Sequence, residues 1–277
     1  MNKRTSSRLS LFVFLIQIMA YSLSTTVTAN EKVIERVDWQ KQFSKFEAEG
    51  TMVVLDEREK ISKKYVFNLQ RAQKRYSPAS TYKIPHSLFA LDAGIVKDKF
   101  QTFKWDGIKR NYKPHNQDQT LQSAMRYSAI WVYDLFAKKL GAEKSNNYLS
   151  KINYGNKDSS TKTGSYWVDG NLSISAHEQI VFLKKLYNNK LPFKIEHQLL
   201  VKDIMLTDSG ENWSLHAKTG WQGHYGWWVG WVECPTGPVF FALNIDTPNR
   251  LKDLYKRKPI VTEILQLMEA LPNKKLN

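Results

Sequence analysis

Apolar and polar positions repeat at two different periods along this 277-residue chain, and the period changes twice. Near the start, Thr51-Met-Val-Val-Leu and Lys64-Tyr-Val-Phe are β-branched and apolar runs that read as an early strand pair. From about Ser80 to Leu200 the spacing turns helical, with Ile84, Leu88 and Leu91 at i, i+4 and i+7. Leu121 to Leu140 keeps that spacing but is interrupted near Ser128. Ser175 to Leu191 reads as another helix, with Ser175 as N-cap and Glu178 three residues on completing a capping box. Period two returns in Trp213-Ser-Leu-His-Ala-Lys-Thr, and strand-like runs follow at Trp227 to Val232 and Val239 to Ile245. Pro259 to Leu271 closes the chain as an amphipathic helix. Strands at both ends of a helical middle predict an α/β fold of the α+β type. Its mainly antiparallel sheet is flanked by terminal helices and carries an inserted helical domain. The expected division is a leader over 1–29, a sheet domain over 30–79 and 205–277, and a helical domain over 80–204. A ligand cleft is expected at their interface.

The first residues read as a secretory signal. Lys3, Arg4 and Arg8 precede a mostly apolar stretch from Leu9 to Ala20, too short to span a bilayer comfortably. Val27-Thr28-Ala29 places small residues for cleavage after Ala29, so the mature protein is expected in the periplasm; an uncleaved anchor is the alternative reading. No later apolar run is long enough to cross a membrane, so no membrane association is expected after cleavage. The formal charge of +15 falls to +12 once the three basic leader residues are removed. These charges are scattered, and the densest cluster is only Lys256-Arg257-Lys258. That pattern reads as a basic surface and gives no nucleic-acid partner, while remaining compatible with a small anionic substrate. Cys234 is the sole cysteine, so no intrachain disulfide forms; it precedes Pro235-Thr236-Gly237 and reads as structural filler at a strand end. The oligomeric state is open.

The chemistry centres on Ser80-Thr81-Tyr82-Lys83, where a polar segment containing Pro78 turns into a helix. Residues three apart share a helix face, which puts the Lys83 amine beside the Ser80 hydroxyl. A hydroxyl becomes a good nucleophile only when a neighbouring base takes its proton. The free N–H groups of a helix start favour negative charge nearby. Pro85 cannot donate a helix hydrogen bond, which predicts an irregular first turn. Alone, a Ser and a Lys at this spacing are weak evidence. A second pair stands at Ser159 and Lys162, beside a second K-T-G at Lys162-Thr163-Gly164; both read as a solvated turn. Three further groups raise the odds for Ser80. Lys218-Thr219-Gly220 ends a period-two strand, with Gly220 allowing close approach of a ligand backbone. Ser128-Ala129-Ile130 offers a hydroxyl for proton relay or, alternatively, for helix capping. Tyr154-Gly155-Asn156 and Trp167-Val168-Asp169-Gly170 mark turns, with Trp167 expected to be buried and its indole N–H in need of an acceptor.

In this order and spacing the set resembles the class D (oxacillinase-type) serine β-lactamases. The resemblance covers nearly all of the mature chain and includes Trp105-Asp106-Gly107 and the Trp227 to Trp231 strand. It implies hydrolysis of small β-lactam substrates, with no metal or other cofactor beyond carbon dioxide. Ser80 matches the acylated serine, and Lys83 matches the lysine carrying a carbamate that acts as general base. Ser128 matches the hydroxyl that protonates the leaving nitrogen, and Trp167 the indole that hydrogen-bonds the carbamate. Ile130 stands where Val is frequent and keeps the pocket dry. Lys218, Thr219 and Gly220 match the wall that meets the substrate carboxylate. The backbone N–H groups of Ser80 and Trp221 match the oxyanion hole. Arg257 matches the carboxylate-binding arginine better than Arg250, which is expected in the preceding loop. A penicillin-binding transpeptidase or a slowly deacylating antibiotic sensor shares some of these motifs and is the rival expectation.

Overall fold

A seven-stranded sheet organises the fold, in the order β1-β3-β2-β7-β6-β5-β4. The strands are β1 (Val33–Glu35), β2 (Gly50–Asp56), β3 (Lys63–Phe67), β4 (Leu206–Gly210), β5 (Trp213–Trp221), β6 (Tyr225–Cys234) and β7 (Gly237–Asp246). The helices are α1 (Gln40–Lys45), α2 (Leu69–Gln73), α3 (Lys83–Asp92), α4 (Leu121–Tyr127), α5 (Ile130–Ile152), α6 (Ala176–Tyr187), α7 (Ile195–Ile204) and α8 (Arg257–Leu267). This computed structural model describes residues 33–162 and 165–273. The expected leader therefore lies outside the described residues. Among the described residues no helix is long and apolar enough to cross a membrane.

Every pairing is antiparallel except β1 with β3. The early strand pair is present, with Val53 opposite Val66. Strand β2 then pairs with β7, Val54 opposite Phe241, which joins the two ends of the chain in one sheet. Neither edge strand was expected from the sequence. β4 is polar apart from Leu206 and largely exposed, and backbone pairing to β5 defines it.

Side chains alternate between the two faces of the sheet. Val53 of β2, Trp227, Val229 and Trp231 of β6, and Phe240 and Ala242 of β7 enter one core with α3 to α7. Met52, Val54, Trp228, Val232, Phe241 and Leu243 enter a second core with Trp39, Phe43 and α8 residues Ile260, Val261, Ile264 and Leu265. Both faces are covered, which is why β6 and β7 read as nearly continuous apolar runs. Each fully buried side chain of this size contributes about 1.5–3 kcal/mol.

The helical middle shows how local sequence shapes the site. A 3-10 turn over Ala79–Tyr82 precedes α3. Pro85 is the third residue of α3, where a missing N–H costs no hydrogen bond. The irregular first turn is thus moved ahead of the helix and holds Ser80. Between α4 and α5, Ser128 adopts a left-handed conformation (φ 56°, ψ 39°), which accounts for the break in spacing. The Ser175–Glu178 capping box is present in both directions. Cys234 is the last residue of β6 and is half-buried.

Candidate active site

The 3-10 turn places Ser80 half-exposed while Lys83, three residues on, is completely buried. Lys83 Nζ donates to Ser80 Oγ at 3.1 Å. The ring of Tyr133 lies 5.0 Å from the amine, and among the described residues no carboxylate forms an ion pair with it. Burial disfavours the charged form and lowers the Lys83 pKa to about 7, with Asp134 opposing at longer range. Ser80 therefore faces an amine that is substantially neutral at physiological pH.

Strand β5 passes directly beside this turn. A Cβ at Gly220 would stand 2.9 Å from the Pro78 carbonyl and 3.1 Å from Thr81 Cγ2. The sequence gives this glycine to ligand approach; in the fold, the turn that carries Ser80 makes the close contact. Lys218, two residues earlier, is buried, and its amine donates to Ser128 Oγ and to the Thr219 carbonyl at 3.0 Å. Burial first, then Lys83, Arg257 and Lys258, hold the Lys218 pKa well below that of a free lysine. The left-handed backbone of Ser128 is what turns its hydroxyl out of the helix pair towards β5. Ile130, the first residue of α5, is half-buried and packs against the larger core.

Arg257 begins α8, as expected, and donates from Nη1 to the Gly220 carbonyl at 2.7 Å. Its Cδ would lie 3.0 Å from a Cβ at Gly226, so glycine is required there for the arginine to reach β5. Burial lowers its pKa to about 10, leaving it fully charged at neutral pH. Arg250 is not in a loop; it opens a 3-10 helix over Arg250–Lys256 with φ of 59° and projects over Gly223 at the β5–β6 turn. Trp221 ends β5, and its Nε1 donates to Thr247 Oγ1 at 3.2 Å. Thr219 is half-buried between Lys218 and Gly220.

Trp167 is buried at 1% exposure, as expected, and its Nε1 has no protein partner. Its carbonyl accepts from Ala79 N at 2.8 Å and from Ser77 Oγ at 2.9 Å, which ties this loop to the turn carrying Ser80. Its ring stacks on Tyr82 at 5.5 Å and meets His86 edge-on at 5.1 Å. Tyr82 and His86 flank Lys83 along the chain.

The second Ser and Lys pair is not assembled this way. Ser159 is not solvated: it is 4% exposed and donates to Asn146 Oδ1 at 2.7 Å. Lys162 is exposed, and Thr163 and Gly164 lie outside the described residues. Two residues near Lys83 escaped the sequence reading. His86 carries no motif signal and looks like one more position on an apolar helix. Asp134, exposed and accepting from Ser165 Oγ at 2.5 Å, lies in the run of α5 with nothing to mark it.

A serine-bearing turn thus lies against an antiparallel strand, with Lys83 beside its hydroxyl and Lys218 on the strand. The family described as "Penicillin binding protein transpeptidase domain" matches residues 20–266. Beta-lactamase OXA-3 of Pseudomonas aeruginosa is 60% identical over 260 residues, covering 94% of each chain. Beta-lactamase OXA-20 of the same organism is 63% identical over 244 residues, covering 88% of this chain and 92% of its own. The solved class D β-lactamase YbXI from Nostoc aligns with a TM-score of 0.80 at 32% identity, over 84% of this chain and 99% of that one. The chain belongs to the class D β-lactamases, within the transpeptidase family.

Proposed function

We propose that this protein hydrolyses β-lactam antibiotics through an ester formed on Ser80, with Lys83 as the base that starts the reaction. The observation that carries the reading is the 3.1 Å contact between Ser80 Oγ and a wholly buried lysine amine without an acidic partner. Family membership supports the overall reaction, and the roles of individual residues are our assignment.

Ser80 Oγ attacks the lactam carbonyl carbon as its proton passes to the Lys83 side chain. The carbonyl electron pair moves onto oxygen and is met by the backbone N–H groups of Ser80 and Trp221. When the carbonyl re-forms, the C–N bond breaks. Ser128 gives its proton to the departing nitrogen, and Lys218, whose amine donates to Ser128 Oγ, makes that hydroxyl more acidic. Lys218, Thr219 and Arg257 form the wall for the substrate carboxylate. No acidic side chain pairs with Lys218 or Arg257 among the described residues, which leaves a field suited to an anion. Water then cleaves the Ser80 ester.

Two features of this pocket fit a carboxylated Lys83. The amine is neutral enough to react with carbon dioxide, and the unpartnered Trp167 Nε1 is a buried donor suited to an anion. Carbon dioxide bound there as a carbamate supplies an anionic oxygen base for both acylation and deacylation. Trp167 would hold it, and Ile130 and Tyr133 would keep water away. We also propose that the reaction runs in the periplasm without metal, in a cleft where the helical segment 80–204 meets the sheet segments 30–79 and 205–277.

The test is turnover of a chromogenic cephalosporin, with mass spectrometry for adducts. Wild type is expected to turn over without a persistent adduct, and Ser80→Ala to do neither. One stable adduct per chain without turnover would give the sensor or transpeptidase function instead. Near wild-type turnover by Ser80→Ala would remove the site.

A further inference from the structure

His86 is a buried polar side chain one turn from Lys83 to which the proposed mechanism gives no task. It is completely buried, and neither ring nitrogen has a hydrogen-bond partner. Five aromatic rings surround it. Tyr82 lies at 5.1 Å and Trp167 at 5.1 Å, with Tyr133 at 5.6 Å, Phe136 at 6.0 Å and Phe89 at 6.5 Å. The pKa of His86 is lowered to about 3, by burial and then by Lys83, so the imidazole is neutral throughout the working range of the enzyme. A neutral imidazole carries one donor and one acceptor. Burying both unpaired is a cost that a phenyl ring in the same aromatic cage would avoid. A purely structural position of this kind would favour Phe or Leu.

Two of the rings touching His86 belong to the Lys83 pocket. Tyr133 lies under the Lys83 amine, and Trp167 carries an unpartnered buried donor. We infer that His86 is a positioning residue that raises the affinity of Lys83 for carbon dioxide. It does so by fixing the Trp167 indole edge-on and by placing a neutral polar ring in an otherwise aromatic pocket. This inference rests on the reading of Lys83 as a carboxylated base.

Carboxylation joins the Lys83 Nζ lone pair to the carbon of carbon dioxide. It moves one C=O electron pair onto oxygen and releases one Nζ proton to the buffer. The site thus changes from a neutral amine to an anion. The His86 imidazole feels the charge of Lys83 and carries a donor and an acceptor for either state. A phenyl ring carries neither.

The experiment titrates wild type, His86→Phe and His86→Asn with 13C-bicarbonate at one pH, reading the carbamate signal by NMR, alongside thermal melting. His86→Phe should melt no lower than wild type yet need about tenfold more bicarbonate for half-carboxylation, the scale of one lost polar contact to a charge. His86→Asn, which keeps a donor and an acceptor, should stay closer to wild type in bicarbonate dependence whatever its melting temperature. If His86→Phe does not fold, His86→Leu takes its place. Equal half-carboxylation points in wild type and the apolar variant would overturn the inference while leaving the carbamate intact. A wild-type enzyme without any carbamate signal would overturn the reading of Lys83 itself.

Discussion

Two buried lysines of this protein live by opposite rules. Lys256, 6% exposed, is ion-paired with Asp253 at 2.9 Å and donates to the Glu47 carbonyl at 2.9 Å. Lys83, fully buried, has only a serine hydroxyl and a tyrosine ring for company. Lys256 ties the segment before α8 to the end of α1, so its charge is matched and its work is structural. Lys83 is held where its charge is unwelcome, and the work proposed for it is chemical. Burial alone does not separate these roles; the partner does.

The strongest test of that contrast exchanges the two outcomes. Lys83→Met should cut turnover by about 10³-fold, the scale of a lost general base, while raising the melting temperature near neutral pH. Lys256→Met should leave turnover close to wild type. It should cost about 3–5 kcal/mol of stability in denaturant titration, because Asp253 is then buried without its cation. A Lys256 variant that kept its stability and lost its turnover would break the comparison.

A smaller effect is expected at the substrate wall. Arg257→Ala should raise KM for anionic β-lactams by about tenfold or more, the worth of a charge-assisted pair, with Arg250→Ala changing it much less. The reverse ranking would move the carboxylate site to the rim.

Trp167→Phe sharpens the contrast from the donor side. It removes the Nε1 hydrogen and should slow deacylation more than acylation, so that mass spectrometry detects an accumulating acyl-enzyme. Equal slowing of both steps would make Trp167 a packing residue only.

The least of these effects is one of pH. Lys83 in the folded protein titrates near 7, below the ordinary lysine value of 10.5. Between those two values the unfolded chain holds a proton that the folded one lacks, so stability rises with pH across that window. The stability gained by Lys83→Met should therefore be largest below pH 7 and shrink towards pH 10.5. A gain independent of pH would mean that Lys83 is not held in its neutral form.

Much of this was legible in the sequence where a local rule acts alone. The Ser175–Glu178 capping box, the break at Ser128 and the shift in helix geometry before Pro85 are set by neighbouring residues, and each was visible. β1 and β4 were not, because their identity comes from the strands they pair with and not from an apolar pattern of their own. Arg257 was separable from Arg250 only through the family likeness. Ser159 shows the opposite failure: a polar stretch reads as solvated, yet Asn146 arrives from α5 to bury it. His86 and Asp134 escaped because what singles them out is the absence or presence of partners brought by distant parts of the chain. No spacing encodes that.

The contact between Gly220 and the Pro78 carbonyl leaves no slack in the floor of the cleft. Nucleophile turn and sheet form one block there, and even a methyl group would drive them apart. Adaptation to bulkier drugs is therefore confined to the walls. Variation that widens the range of antibiotics handled should accumulate around Gln222–Tyr225, the turn that follows Trp221. Pro78, Thr81 and Gly220 should remain fixed while those walls drift.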